Sequence, residues 1–169
     1  MGIISPVGNT ISDAWENILN GKSGITQITR FDASALTSQI AGEIKNFDVT
    51  QYMSKKEARR MDIFIHYGMA AAIQAIQDAD IENAADSGID TNRIGINIGS
   101  GIGGLPMIEK TDNLYLKDGQ KKISPFFIPS TIINMISGNL SIKYNFKGPN
   151  LAIVTACTTA THCLGSSAR

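Results

Sequence analysis

Apolar residues recur at helical spacing in several stretches of the chain. The first follows Thr10, a helix-capping residue with Asp13 three positions on, and stops before Gly21. Ser54 and Glu57 have the spacing of a capping box and predict that a second helical region opens there. The apolar face predicted for the first helix consists of Ile11, Ala14, Trp15, Ile18 and Leu19.

Longer helical patterns follow in the middle of the chain. Asp62 can cap a helix with a rich apolar face, and residues 105–119 are predicted to be partly helical. Another helix is predicted over residues 131–144. Pro125 and Pro129 are expected to bracket a loop between these two helical stretches.

Short apolar runs between the helical stretches are typical of β-strands. Residues 39–44 form one candidate, and residues 93–98 and 151–154 are expected to be buried strands. The run at 151–154 leads into an Ala-, Ser- and Thr-rich stretch from Cys157 onward that predicts a final helix. Strands that alternate with helices predict an α/β layered fold.

The composition is that of an ordinary globular chain, with 169 residues, 43% hydrophobic and 18% charged. We predict that residues 1–169 form one portion of a single domain. Lys+Arg and Asp+Glu both number 15, so the net charge gives no reason to expect nucleic-acid binding. The sequence shows neither a secretory signal nor an apolar run of membrane-spanning length, which predicts a cytoplasmic protein. Two cysteines without metal-ligand spacing suit a reducing compartment and predict no metal site.

Cys157 is the candidate nucleophile, because it falls where a strand is predicted to turn abruptly into a helix. The first N–H groups of a helix lack internal partners and favour a negative charge, so a thiolate is favoured there. Small neighbours such as Ala156 leave room for a substrate carbonyl. The alternative is that Cys157 is merely a small buried apolar residue. His162 is not expected to act as its base, because five helical positions turn through about 140°.

Two further patterns have alternative interpretations. Residues 99–104 match the glycine spacing of a dinucleotide-binding turn, but no strand-ending acidic residue follows at the required distance. We therefore expect a tight turn, or a backbone that passes close to a ligand or another subunit. Four basic residues cluster near the second helix start, either as a solvated face or as a docking surface for an acidic partner; they are Lys55, Lys56, Arg59 and Arg60.

Motifs from one end of the chain to the other occur in the order found in one enzyme family. They are SPVGNT, GKSGI, KKEARRMD, IGSGIGGL, KISPFFIPSTIINM and TACTTATHCLG. The chain thus resembles the β-ketoacyl-acyl carrier protein synthases, condensing enzymes of the thiolase-like superfamily, and best their type II elongating branch. This resemblance implies a thiolase-like layered fold, αβαβα in complete members, of which residues 1–169 would be the N-terminal half without its first strand.

The resemblance also implies roles for individual residues. Cys157 would accept an acyl group from acyl carrier protein as a thioester, and a carbanion from decarboxylated malonyl-acyl carrier protein would then attack that thioester. The N–H of Cys157 would belong to the oxyanion hole. Ile102 would border the acyl pocket near the dimer interface. The acidic carrier would dock on Lys56, Arg59 and Arg60. The resemblance implies a homodimer and no metal or organic cofactor, because the phosphopantetheine arm arrives on the carrier.

Complete members of this family carry two catalytic histidines and a lysine in their C-terminal half. His66 and His162 do not match those positions, so we expect residues 1–169 not to condense substrates alone. Within the family, a type I synthase or a polyketide ketosynthase remains an alternative. Outside it, the alternatives are a truncated non-catalytic product and an acyl-carrier-binding module.

Overall fold

Helices and short strands alternate along residues 1–168, which the computed structural model describes. The helices are α1 (Ile11–Leu19), α2 (Lys55–Ala58), α3 (Ile63–Asp78), α4 (Leu105–Asp118), α5 (Phe127–Thr131), α6 (Met135–Tyr144) and α7 (Thr159–Ser167). The strands are β1 (Ile25–Gln27), β2 (Ile40–Gly42), β3 (Ile96–Asn97) and β4 (Asn150–Leu151). Two groups of residues make their contacts mainly within themselves: Met1–Asp48 with Ala70–Ala79, and Val49–Met69 with the chain from Asp80 onward.

The first group contains α1 and an antiparallel strand pair. The Thr10 hydroxyl accepts the N–H of Asp13 at 3.1 Å, and Gly21 ends the helix with a φ of 64°, so the predicted caps are confirmed. Of the predicted apolar face of this helix, only Ala14 is buried, and Trp15 is 60% exposed. β2 pairs with β1 within the predicted stretch 39–44.

The second group begins with the predicted capping box. The Ser54 hydroxyl accepts the Glu57 N–H at 3.2 Å, and the Glu57 carboxylate accepts the Ser54 N–H at 2.9 Å. This box opens only a single helical turn, α2, before α3 begins after Asp62 as predicted. The core of this group includes Ile65 and Leu140. A Cβ on Gly68 would meet Ile136 of α6 at 2.6 Å, so a glycine there permits close helix packing.

β3 and β4 form a parallel pair in which Ile96 lies opposite Asn150. α6 packs against both strands, and α7 packs against β3. A parallel pair covered by helices is an α/β arrangement, which confirms the predicted class. The prediction of longer buried strands at 93–98 and 151–154 is wrong. Each is two residues long, β3 is half-buried, and Leu151 is 49% exposed.

Two expectations for the region before β4 are also wrong. Where a loop was expected between Pro125 and Pro129, α5 begins at Phe127 and continues to Thr131. Pro129 is tolerated in the first turn of this helix, because the N–H that a proline lacks needs no partner there. The helix expected over 131–144 begins only at Met135. Ile132 has extended backbone angles, with φ −78° and ψ 144°, and separates α5 from α6.

Candidate functional site

Cys157 lies in a sharp turn between β4 and α7. Residues Ala156–Thr158 form one turn of 3₁₀-helix, and α7 begins at Thr159. Ala156 has a φ of 49°, in the left-handed region that a residue with a Cβ seldom adopts. The prediction that Cys157 stands at or near a helix start is confirmed, although residues 152–155 before it are not part of a strand and Val154 is 48% exposed.

Threonine side chains hold this turn, which we call the elbow (residues 155–159). The Thr159 hydroxyl accepts the N–H of Thr155 at 3.0 Å and donates to the carbonyl of Ala156 at 2.7 Å. The Thr158 hydroxyl donates to the Thr155 carbonyl at 2.7 Å. Thr159 is buried, so its two hydrogen bonds are protected from water. The main-chain polar groups on both sides of Ala156 are therefore fixed.

The two cysteines have different environments. Cys157 is exposed and Cys163 is buried, and both are free thiols. The interpretation of Cys157 as a small buried apolar residue is thus wrong, whereas it describes Cys163. Among the described residues, the backbone N–H of Cys157 has no hydrogen-bond partner. A free N–H beside a nucleophilic sulfur can donate to an oxyanion that forms there.

The glycine-rich turn 99–104 packs against the elbow. A Cβ on Gly99 would overlap the Ile153 carbonyl and the Thr159 methyl group, and one on Gly101 would lie 3.7 Å from the Ala156 carbonyl oxygen. The close approach expected from these glycines is therefore made to the chain itself. The turn that makes this approach carries Ile102, which is 71% exposed.

Asp62 connects three segments around the same turn. Its carboxylate accepts the N–H of Phe64 at 3.2 Å in α3 and the N–H of Met107 at 2.8 Å in α4. Its own N–H donates to the Ser130 carbonyl at 3.1 Å. A Cβ on Gly104 would lie 3.1 Å from the Asp62 Cβ, so the glycine turn also rests on this residue. The sequence predicts Asp62 only as a cap for α3, because Met107, its partner in α4, is 45 residues away in the chain.

The basic residues predicted for carrier docking are all exposed. Lys56 and Arg59 form no ion pair with any described residue. The guanidinium of Arg60 lies 4.3 Å from the centre of the Phe126 ring. The one acid between them, Glu57, is engaged by Ser54, and these hydrogen bonds hold the pKa of Glu57 below its ordinary value. The cluster therefore presents its positive charge to solvent.

The two histidines form hydrogen bonds with residues other than Cys157. His66 Nε2 lies 2.9 Å from the Ala58 carbonyl oxygen, and His162 Nδ1 lies 2.7 Å from the Thr155 hydroxyl. The sequence excluded His162 as a base for Cys157 but did not reveal its bond to Thr155. Within residues 1–168, no three His, Cys, Asp or Glu side chains are grouped as metal ligands. No helix in that range is both long and apolar enough to cross a membrane.

The sequence matches the family model described as "Beta-ketoacyl synthase, N-terminal domain" over residues 1–169. Curated relatives named 3-oxoacyl-(acyl-carrier-protein) synthase 2 include those of Vibrio harveyi, 52% identical over 169 residues, and Coxiella burnetii, 50% identical over 171 residues. The Staphylococcus aureus relative is 45% identical over 170 residues. The alignments cover 99–100% of this chain but only 40–41% of the relatives, so the chain spans about two fifths of their length.

Solved structures with the same fold are more distant in sequence. One is a type II polyketide ketosynthase in complex with its acyl-carrier protein, with a TM-score of 0.75 at 21% identity, covering 99% of this chain and 43% of that one. Another is a β-ketoacyl synthase from Burkholderia phymatum, with a TM-score of 0.75 at 18% identity, covering 98% and 40%. These matches support the predicted thiolase-like fold of residues 1–169.

Proposed function

Because this chain belongs to the β-ketoacyl synthase family and matches its N-terminal domain, we propose that it carries the nucleophile of a fatty-acid elongating synthase. The observation that carries the proposal is the exposed thiol of Cys157 in the 3₁₀ turn before α7, beside its own backbone N–H, which has no hydrogen-bond partner among the described residues. The sequence relatives at 45–52% identity favour fatty-acid elongation over polyketide synthesis. That residues 1–169 form one portion of a single domain stays a prediction.

The first half-reaction is transfer of an acyl group. The Cys157 thiolate attacks the carbonyl carbon of an acyl-carrier thioester and forms a tetrahedral oxyanion. The backbone N–H of Cys157 donates to that oxygen. Collapse of the tetrahedral intermediate then expels the carrier thiolate and leaves an acyl group on Cys157. Ile102 and Ala156 would border the bound acyl chain, because the glycine-rich turn that carries Ile102 packs against the elbow that contains Ala156.

The second half-reaction is decarboxylative Claisen condensation. Malonyl-acyl carrier protein loses CO₂, and the electron pair of the broken C–C bond forms the new bond to the acyl carbonyl carbon. Cys157 leaves as thiolate and the product is 3-oxoacyl-acyl carrier protein. We assign the decarboxylation to no residue of this chain, and we require no metal or organic cofactor for either half-reaction.

An acidic acyl carrier protein would dock on Lys56, Arg59 and Arg60. Lys56 lies in α2, Arg59 is the C-cap of that helix and Arg60 follows in a turn, so the three cations stand within five consecutive residues. Lys56 and Arg59 have no ion pair to break among the described residues. Charge of this kind mainly raises the association rate and orients the encounter. Homodimerisation remains a proposal drawn from the family resemblance, and a cytoplasmic location remains one drawn from the composition.

The test is acyl transfer followed at peptide resolution. The chain is incubated with a long-chain acyl-carrier thioester, and the mass gain of each cysteine peptide is measured over time. We expect acylation at Cys157, loss of that signal in Cys157→Ala, and no loss in the control Cys163→Ala. Acylation confined to Cys163, or undiminished in Cys157→Ala, would contradict the proposal.

A charge-reversal pair tests the docking surface separately. Lys56→Glu with Arg59→Glu should slow acylation by acyl-carrier protein but leave acylation by a small acyl thioester unchanged. Carrier binding with no acylation of Cys157 would instead support the acyl-carrier-binding module. If the variant is acylated by acyl-carrier protein as fast as the unaltered chain is, the basic cluster is only a solvated surface.

A further inference from the structure

The backbone that presents Cys157 has an unfavourable conformation. Thr155 has φ −143° and ψ 44°, and Ala156 has a φ of 49°. A residue with a Cβ in the left-handed region persists only where its surroundings over-determine it. The threonine hydrogen bonds described above engage the main-chain N–H and carbonyl of Thr155 and the carbonyl of Ala156.

The side chain of Thr155 is held by a different residue. Its hydroxyl lies 2.7 Å from Nδ1 of His162, which is in the first turn of α7. His162 is itself exposed, so it is not part of the core, and it forms no hydrogen bond with Cys157. This bond joins α7 to the residue that precedes the strained position. It completes the set of contacts that fix both sides of Ala156.

We propose that His162 is a positioning residue, which acts through the Thr155 hydroxyl to hold the elbow in the conformation that presents the Cys157 sulfur and N–H. This inference rests on the proposed role of Cys157 as the acylated nucleophile. It assigns His162 no part in proton transfer. A loosened elbow would let Ala156 relax toward a right-handed conformation, and the Cys157 N–H would no longer stay aimed at the oxyanion.

Two substitutions of His162 separate the hydrogen bond from the ring. The amide of His162→Asn stands where Nδ1 stands, so it can keep the bond to Thr155. The amide of His162→Gln reaches the position of Nε2 and loses that bond. Thr155→Ser and Thr155→Val form the matching pair on the other side, with and without the hydroxyl. Because His162 is exposed, its variants should fold as the unaltered chain does.

The first readout is the rate of Cys157 acylation at saturating acyl thioester. Loss of one hydrogen bond should slow it about 3- to 10-fold in His162→Gln and in Thr155→Val, whereas His162→Asn and Thr155→Ser should stay within about 2-fold. The double variant His162→Gln/Thr155→Val should be no slower than either single one. Equal rates for the Asn and Gln variants would overturn the proposal, whether both are fast or both are slow.

The second readout does not depend on acylation. Hydrogen exchange of the Thr155 amide, which donates to Thr159, should be faster in His162→Gln than in His162→Asn. If Cys157 is never acylated in the unaltered chain, the proposed function fails while this exchange still decides whether His162 fixes the elbow. Equal exchange in both variants would show that it does not.

Discussion

Replacing Asp62 should weaken the region that supports the elbow. Its carboxylate is 3% exposed and caps two helices, accepting the Phe64 N–H at 3.2 Å and the Met107 N–H at 2.8 Å. Hydrogen bonds to a charged group contribute about 1.5–3 kcal/mol each, and the desolvation of the buried charge offsets part of that sum. We therefore expect Asp62→Ala to lower the free energy of unfolding by about 2–4 kcal/mol.

Asp62→Asn provides a graded control. Its single amide oxygen can accept from only one of the two helices, so the loss should be smaller, about 1–2 kcal/mol. Hydrogen exchange measured by NMR then locates the effect. In Asp62→Ala the amides of Phe64 and Met107 should exchange at least about tenfold faster, and in Asp62→Asn only one of them should.

The amide of Asp13 serves as the internal reference for this experiment. It is capped by Thr10 in the other group of residues and should keep its exchange rate in both variants. Unchanged stability of Asp62→Ala, together with unchanged protection of Met107, would refute the reasoning. It would show that the carboxylate does not hold α4 to α3.

Two further predictions concern the glycine turn and the capping box. Gly99→Ala should lower the free energy of unfolding by about 1–3 kcal/mol and slow acylation of Cys157, because the new Cβ would overlap the Ile153 carbonyl. Gly138→Ala should instead raise the free energy of unfolding by about 0.4–1 kcal/mol, because its Cβ would point into open space beside α6. Equal effects in thermal unfolding would contradict this packing. The pKa of Glu57 is lowered mainly by its hydrogen bonds to Ser54, so its stabilising effect is present above the ordinary value of 4.5 and is lost as the pH falls through the lowered folded value. The protection of the Ser54 amide, measured as its exchange rate relative to the intrinsic rate at each pH, should fall over that acidic range and be independent of pH in Glu57→Gln.

The sequence was most informative where local chemistry decides the structure. The Thr10 cap and the Ser54–Glu57 box each involve residues three positions apart, so their bonds could be predicted and are present. The position of Cys157 near the start of α7 was predicted from the change of composition after the apolar run 151–154. The left-handed Ala156 was not, because the residue type gives no sign of it. The hydroxyl groups of Thr155, Thr158 and Thr159 are the sequence feature from which side-chain support of this turn could have been inferred.

The rest depends on contacts between distant parts of the chain. Asp62 bonds to Met107, and no spacing rule connects them. The apolar runs that predicted buried strands show which environment their residues suit. They do not show how many strands pair with a given strand among the described residues. β3 and β4 each pair on one side there, and Leu151 and Val154 are exposed. The same limit explains why Trp15, which has the helical spacing of the apolar face of α1, nevertheless lies at the surface.

The central claim is that the elbow makes one thiol reactive toward a thioester. The most direct measurement compares the acylation rate of Cys157 in the folded chain with that of the same cysteine in the chain unfolded in urea, using one small acyl thioester and Cys163→Ala protein. If the elbow activates the sulfur, the folded chain reacts faster although its thiol is less free to move. A folded rate equal to or below the unfolded rate would show that Cys157 is merely an exposed cysteine.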